Sequence, residues 1–542
     1  MSASFIERLR RARPWVGVLA ALALLNGSVT FHNVWPTLGV HWPGELSVEL
    51  AALLLLLALS NAWVGATRPS VIAWLAALVV VFALGRYGEV TAPALYGREV
   101  NLYWDGPRLL SVVAMFARVA SPLQVIAALA GAVLVLMLLY LLARWSLRQV
   151  DAALFRSRAA RATVGICSAA LLASFLAQQL SDEVPRIPRF SIPVSHTYGE
   201  QIARIVDALS SSRAARVLPP SPPLDSSVRA LDRSDVLLVF LESYGRTTYD
   251  RPAYERALEP AREHLAAALR DTGRSVVSAF VTSPTFGGQS VLAHLSLLSG
   301  IEVRDSTRYA LLMTQKRPTL VSAFKAAGYR AVAVMPGMKQ DWPEGAFYGF
   351  DEIYDATKLD YRGPEFGWWR IPDQYSVEAL DTRELQRHPR QPLFVFFPTV
   401  STHIPFRPVP PLQSDWPRML SSQPYDTVPL RRALAQRADW TDMGESYVSS
   451  VQYFLEVLAS YLRERPNDAT VLIVLGDHQP AANVSGEGAP WDVPVHIISK
   501  RRELLQPLQR HGFVSGLVPA DRAVGKMSEL TPWLLQAFDH SN

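Results

Sequence analysis

Five apolar runs crowd into the first third of the chain, at residues 15–32, 46–66, 70–86, 122–143 and 162–180. A helix needs about 20 apolar residues to cross a bilayer, so these runs predict a transmembrane domain over residues 1–180, the third run being the shortest. Basic residues set its direction. Arg8, Arg10, Arg11 and Arg13 precede the first run, Arg68 lies between the second and third, and Arg144, Arg148, Arg156, Arg158 and Arg161 lie before the fifth. Basic loops stay on the cytoplasmic side, so the N-terminus is expected there and an odd number of crossings carries everything after Leu180 outside. Trp15, Trp42, Trp63 and Trp145 fall near the ends of the runs, where indole rings favour the interface. No small-residue cleavage pattern follows the first run, which therefore reads as a retained span.

The segment EVTAPALYGREVNLYWDGPRLLSVVAMFARVAS between the third and fourth runs is too long for a turn. Its Tyr96, Tyr103, Trp104, Leu109, Leu110, Met115 and Phe116 suit a stretch lying along the outer membrane surface. Residues 181–230 read as a juxtamembrane segment and linker, proline-punctuated and then PPSPP-rich. The single cysteine, Cys167, lies in the fifth run, so no intramolecular disulfide forms. A net charge of +5, with no basic block interleaved with aromatics, argues against nucleic acid.

From residue 231 the composition becomes that of a soluble domain, expected to run to residue 542. Buried-strand runs occur at DVLLVFLES (235–243), SVVSAFVTS (275–283), YRAVAVM (329–335), PLFVFFPTV (392–400), ATVLIVLG (469–476) and VPVHIIS (493–499), with helical patterns between most of them. Alternation of this kind predicts an α/β fold with a mostly parallel sheet flanked by helices. Ligands of such sheets bind beyond the carboxyl ends of the strands.

Polar residues cluster at those ends. The first strand runs into Glu242, the second into a loop ending in TFGGQS with Ser290, the fourth into STHIPF with His403, and the fifth into LGDHQP with Asp477 and His478. Each has a structural explanation alone; Ser290, followed by Val291, Leu292, Leu295 and Leu298, suits a helix N-cap. Together, carboxylates and an imidazole at one edge suit a divalent cation, manganese or zinc rather than calcium. A coordinated Ser290 hydroxyl is a nucleophile at neutral pH.

Glu242 at a strand end, a hydroxyl at a helix start and a late GDH resemble the alkaline phosphatase and sulfatase superfamily. Five spans before an outer domain resemble the lipoteichoic acid synthase-like phosphoglycerol transferases within it, with the phosphoethanolamine transferases as cousins. The sulfatase signature lays onto SVLAHLSLLSG with the nucleophile at Ser290, paired leucines at Leu297 and Leu298 and the closing glycine at Gly300; GYRAVAVMPG and YGFDEIYD match further segments. The resemblance implies one divalent metal, manganese first and zinc or magnesium as alternatives, held by Glu242, Ser290, Asp477 and His478. It also implies a substrate-contacting or acid role for His403, a substrate-lining Trp369 in FGWWRIPD, and a multi-pass protein of the bacterial inner membrane with its catalytic domain periplasmic. Arg370, Arg246 and His294 are further substrate-binding candidates. Leu292 and His294 replace the sulfatase proline and arginine, and serine replaces cysteine, so sulfate-ester hydrolysis ranks lower.

The expected activity is transfer of a phospholipid head group, phosphoglycerol or phosphoethanolamine, to a glycan or lipid acceptor through a phospho-serine intermediate. The alternatives are an outer-compartment phosphatase, phosphodiesterase or sulfatase-type hydrolase, and a non-catalytic lipid-sensing membrane protein.

Overall fold

A computed structural model describes residues 3–181, 184–209, 218–339, 342–368, 370–440, 442–466 and 469–539. The chain divides into two compact units, residues 1–95 with 99–210, and residues 96–98 with 211–542.

The first unit contains α1 (Ala3–Thr30), the short antiparallel strands β1 (His32–Asn33) and β2 (Val40–His41), α2 (Val48–Trp63), α3 (Pro69–Tyr96), α4 (Leu102–Val119), α5 (Pro122–Arg156), α6 (Arg158–Leu180) and α7 (Val194–Leu209). The five apolar runs lie largely in α1, α2, α3, α5 and α6. Among the described residues α3, α5 and α6 are long and apolar enough to cross a membrane, while Trp15–Thr30 and α2 are shorter apolar helices. Serine hydroxyls cap three of the starts, Ser47 for α2, Ser121 for α5 and Ser157 for α6, each satisfying an orphan N–H of the first turn. Ala21, Leu25, Leu57, Ile72, Ala76, Leu147 and Leu154 form the apolar centre. The stretch expected along the membrane surface is helical in α4. Helix α7 interrupts the expected juxtamembrane segment, and residues 210–217 of the linker lie outside the described residues.

In the second unit the sheet is built from β3 (Val236–Leu241), β4 (Ser275–Thr282), β5 (Arg330–Met335), β6 (Glu352–Asp355), β7 (Leu393–Pro398), β8 (Val471–Gly476), β9 (Asp492–Ser499), β10 (Val514–Ser515) and β11 (Ala523–Lys526). The order is β10-β4-β9-β8-β3-β7-β5-β6, with β11 also on β4. The six expected strands are all present. The short strand β6 is half-buried throughout and so shows no apolar run to betray it.

Strands β3, β5, β6, β7 and β8 run parallel to one another, whereas β9 is antiparallel to both β8 and β4. Two antiparallel steps cancel, so β4 points the same way as β3. Alternate residues of β3 enter two cores: Leu238 and Phe240 join one with Leu295, Leu298 and Phe538, and Leu237 and Val239 join the other with Leu265, Val451 and Leu462. Burial on both faces is why these strands read as unbroken apolar runs. The geometric consequence is that β3, β4, β7 and β8 end on one edge.

Candidate functional site

Strands β3 and β8 pair in register with Leu241 opposite Gly476, so the next residues, Glu242 and Asp477, leave the sheet side by side. The approach is close. A Cβ at Gly476 would sit 1.8 Å from the Tyr244 carbonyl oxygen, so only glycine fits at the end of β8. Ser243 turns the chain with a left-handed φ of 57°. Its N–H donates to Asp477 Oδ1 at 2.8 Å, and the His478 N–H donates to the same oxygen at 2.7 Å. Asp477 Oδ2 remains, fully buried and without a hydrogen-bond partner.

Ser290 arrives from β4. The connecting loop is pinned by the Ser283 hydroxyl on the Asp477 carbonyl (2.6 Å) and by the Gly287 N–H on the Gln479 carbonyl (3.1 Å). Gln289, with φ 61°, occupies the N-cap position, and Ser290 is the first residue of the helix Ser290–Ser299. Its hydroxyl therefore does not cap the helix. It donates to Glu242 Oε2 at 3.0 Å and lies 3.2 Å from His478 Nε2. His478 Nδ1 is 2.7 Å from the Gln479 carbonyl, which fixes the proton on that nitrogen in the neutral ring. Nε2 thus faces Glu242 Oε1 at 3.4 Å and Asp477 Oδ2 at 3.6 Å.

Glu242, Asp477 and His478 are buried, and one ligand atom from each lies within 4.8 Å of the others. An orphaned carboxylate oxygen, a second carboxylate and an imidazole nitrogen, all buried, fit a divalent cation. Without a cation the charges are in tension. Burial opposes ionisation of Glu242, but the His403 and His478 charges outweigh it and hold the carboxyl well below its ordinary range. Burial and the Glu242 charge push Asp477 up to about 8. Burial disfavours the His478 cation, yet Asp477 and Glu242 overcome it and raise the ring to about 9.

His403 follows β7 on a turn in which its Nδ1 meets the Ile404 carbonyl at 2.8 Å. It lines a shallow cleft with Phe366, Trp368, Ser401, Phe406 and Arg407. Trp369 lies outside the described residues. Arg370 adopts φ 65° and pairs with Glu365. Arg246 is held by Asp250 at 2.9 Å, by Asp492 at 3.5 Å and by the Asp521 carbonyl, with its guanidinium over Phe280. His294 is buried between Phe240 and Phe396, one helical turn beyond Ser290, with Nε2 unpartnered. Burial lowers its ring to about 4.

Trp368, Ser401 and Arg407 in the cleft, and Ser243 beside the carboxylates, escaped the sequence reading. Trp368 adjoins the tryptophan picked from FGWWRIPD, and Ser243 adjoins Glu242, so position relative to a strand end was the available signal.

Residues 234–501 match the Sulfatase family model. No curated protein matches the chain. Among solved structures it is similar to the lipoteichoic acid synthase LtaP from Listeria monocytogenes, at 14% identity over 52% of this chain and 68% of that one, with a TM-score of 0.36. The C-terminal periplasmic domain of EptC from Escherichia coli gives 15% identity over 58% and 84%, with a TM-score of 0.36. The Streptococcus pyogenes phosphoglycerol transferase GacH, in complex with sn-glycerol-1-phosphate, gives 12% over 57% and 75%, with a TM-score of 0.34. Through residues 234–501, just under half of its length, the chain is similar to the Sulfatase family.

Proposed function

We propose that the chain is a membrane-anchored, metal-dependent transferase that moves a phospholipid head group, phosphoglycerol or phosphoethanolamine, onto a glycan or lipid acceptor. The observation that carries this reading is the Ser290 hydroxyl bonded to Glu242 and set against His478, beside the buried, unpartnered Asp477 Oδ2. A helix-capping serine would point at its own backbone; this one points at a cluster of acid and imidazole.

Glu242, Asp477, His478 and the Ser290 oxygen would hold the cation, manganese first, which when bound lowers the pKa of the hydroxyl and offsets phosphate charge. The chain's own groups do the rest. Glu242 orients the Ser290 hydroxyl and accepts its proton as the serine oxygen attacks phosphorus and the bond from phosphorus to the diacylglycerol oxygen breaks. His403 gives a proton to that leaving oxygen. An acceptor hydroxyl then loses its proton to His403 and attacks the phospho-serine, and the departing Ser290 oxygen takes its proton back from Glu242. Such transfer needs mostly positioning and charge from the protein.

The outer catalytic domain of residues 231–542, the transmembrane domain of 1–180 and a bacterial inner-membrane address complete the proposal. A lipid donor stays in the bilayer, so apolar helices on the same chain keep enzyme and substrate together. The test is purified protein with Mn²⁺ and a head-group-labelled phospholipid. Label on a glycan or lipid acceptor, with a phosphorylated Ser290 peptide in the mass spectrum, supports transfer. Label released only into water makes the protein a hydrolase.

A further inference from the structure

Tyr447 lies on the helix Gly444–Glu464 and is fully buried. Its hydroxyl donates to the Ser243 carbonyl at 2.9 Å and accepts the Gly245 N–H at 3.4 Å. One hydroxyl thus straddles the turn that follows Glu242. That turn depends on outside support, because Ser243 occupies the left-handed region that a serine rarely adopts.

Ser243 in turn orients both carboxylates. Its N–H donates to Asp477 Oδ1 at 2.8 Å and its hydroxyl to Glu242 Oε1 at 3.1 Å. Rotation of either carboxylate is arrested, and Asp477 Oδ2 and Glu242 Oε2 are left to face inward. On its other side the Tyr447 ring packs edge-on against Phe406, with centroids 5.3 Å apart. Phe406 has φ 62°, and its N–H donates to the His403 carbonyl at 2.9 Å. The same side chain therefore touches the acidic turn and the turn that carries His403.

We propose that Tyr447 is a positioning residue, clamping the Ser243 turn so that the two carboxylates present one oxygen each to the divalent cation, and keeping the His403 turn in register with them. This rests on the reading of the site as a cation site. Residues that orient metal ligands at one remove typically change metal affinity 10–100-fold when altered.

The experiment is Mn²⁺ binding to the metal-free full-length protein by calorimetry, without substrate, in parallel with thermal unfolding. Tyr447→Phe keeps the ring and its contact with Phe406 but loses the clamp; Mn²⁺ binding is expected to weaken at least tenfold. Tyr453→Phe is the control, since Tyr453 is buried on the same helix with its hydroxyl unpartnered; it should bind Mn²⁺ as the unmodified protein does. Should Tyr447→Phe fail to fold, Ser243→Gly carries the test, because glycine accepts the left-handed backbone while losing the bond to Glu242. It too should lose at least tenfold in affinity. Unchanged affinity in a folded Tyr447→Phe, or an equal loss in Tyr453→Phe, overturns the clamp while leaving the site intact. A failure of the unmodified protein to bind Mn²⁺, Zn²⁺ or Mg²⁺ overturns the cation site itself, and the clamp with it.

Discussion

Asp373 Oδ1 accepts the backbone N–H of Val400 at 2.9 Å, and that bond ties the start of the helix Asp373–Leu380 to the segment leading from β7 to His403. The other oxygen takes the Ser401 N–H at 3.0 Å. Asp373 is fully buried, and burial raises its carboxyl to about 6. Asp373→Ala leaves two interior N–H groups unpaired, each costing about 1–3 kcal/mol. Turnover of a phospholipid or phosphodiester substrate should fall at least tenfold as the His403 turn loosens. Mn²⁺ affinity, measured alongside, should hold, because no cation ligand is touched.

Ser290→Ala is expected to abolish turnover, by about 10³-fold or more, because its oxygen is the proposed nucleophile. The variant should fold as well as the unmodified protein. Ser290 donates to Glu242 rather than capping its helix, so thermal unfolding should move by no more than about 2 °C, equivalent to under about 1 kcal/mol.

Chelation should destabilise the second unit. A cation that binds only the folded state stabilises it by about 2.7 kcal/mol at a hundred times its Kd. Scanning calorimetry with excess Mn²⁺ and with EDTA should separate the two midpoints by several degrees. Asp477→Asn should erase that difference, because the amide replaces the buried, unpartnered Oδ2.

A pH effect is expected from a carboxyl that is not among the cation ligands. Glu378 is buried, and burial followed by the charge of Asp381 raises its carboxyl to about 7, against partial relief from Arg465. A folded pKa above the unfolded one means that the native state holds the proton more tightly. Stability therefore falls as pH rises from about 4.5 to about 7, and the loss is complete above that. Glu378→Gln should remove this slope. It should raise stability at pH 8 by on the order of 1–2 kcal/mol in denaturant titrations and change little at pH 4.5.

In the first unit, Asp151 Oδ1 on α5 accepts from Asn61 Nδ2 (2.8 Å), the Thr67 hydroxyl (2.6 Å) and the Thr67 N–H (3.2 Å). One carboxylate thereby joins α5 to the end of α2 and the approach to α3. Asp151→Ala should cost about 2–3 kcal/mol by stranding these donors, read as a lower unfolding midpoint of detergent-purified protein. Asp151→Asn should recover part of it.

The sequence determined the apolar helices, the six principal strands and the order in which Glu242, Ser290, His403, Asp477 and His478 leave them. These follow from patterns along the chain: apolar length, strand-length runs, and polar residues where such runs stop. It also carried the resemblance to sulfatases, because SVLAHLSLLSG and LGDHQP keep their residues contiguous. Strand direction was not legible, since hydrophobicity is the same read either way; the reversal of β9 is what returns β4 to the orientation of β3 and brings Ser290 to Glu242. Nor could local pattern tell a capping serine from a nucleophile. Where the hydroxyl points depends on contacts across the fold: Gln289 takes the N-cap position, and Glu242, 48 residues earlier, accepts the Ser290 hydroxyl. Distances along a chain encode which elements form. Which side chains meet across them is set by sheet order and register, and these depend on packing both faces of the whole sheet at once.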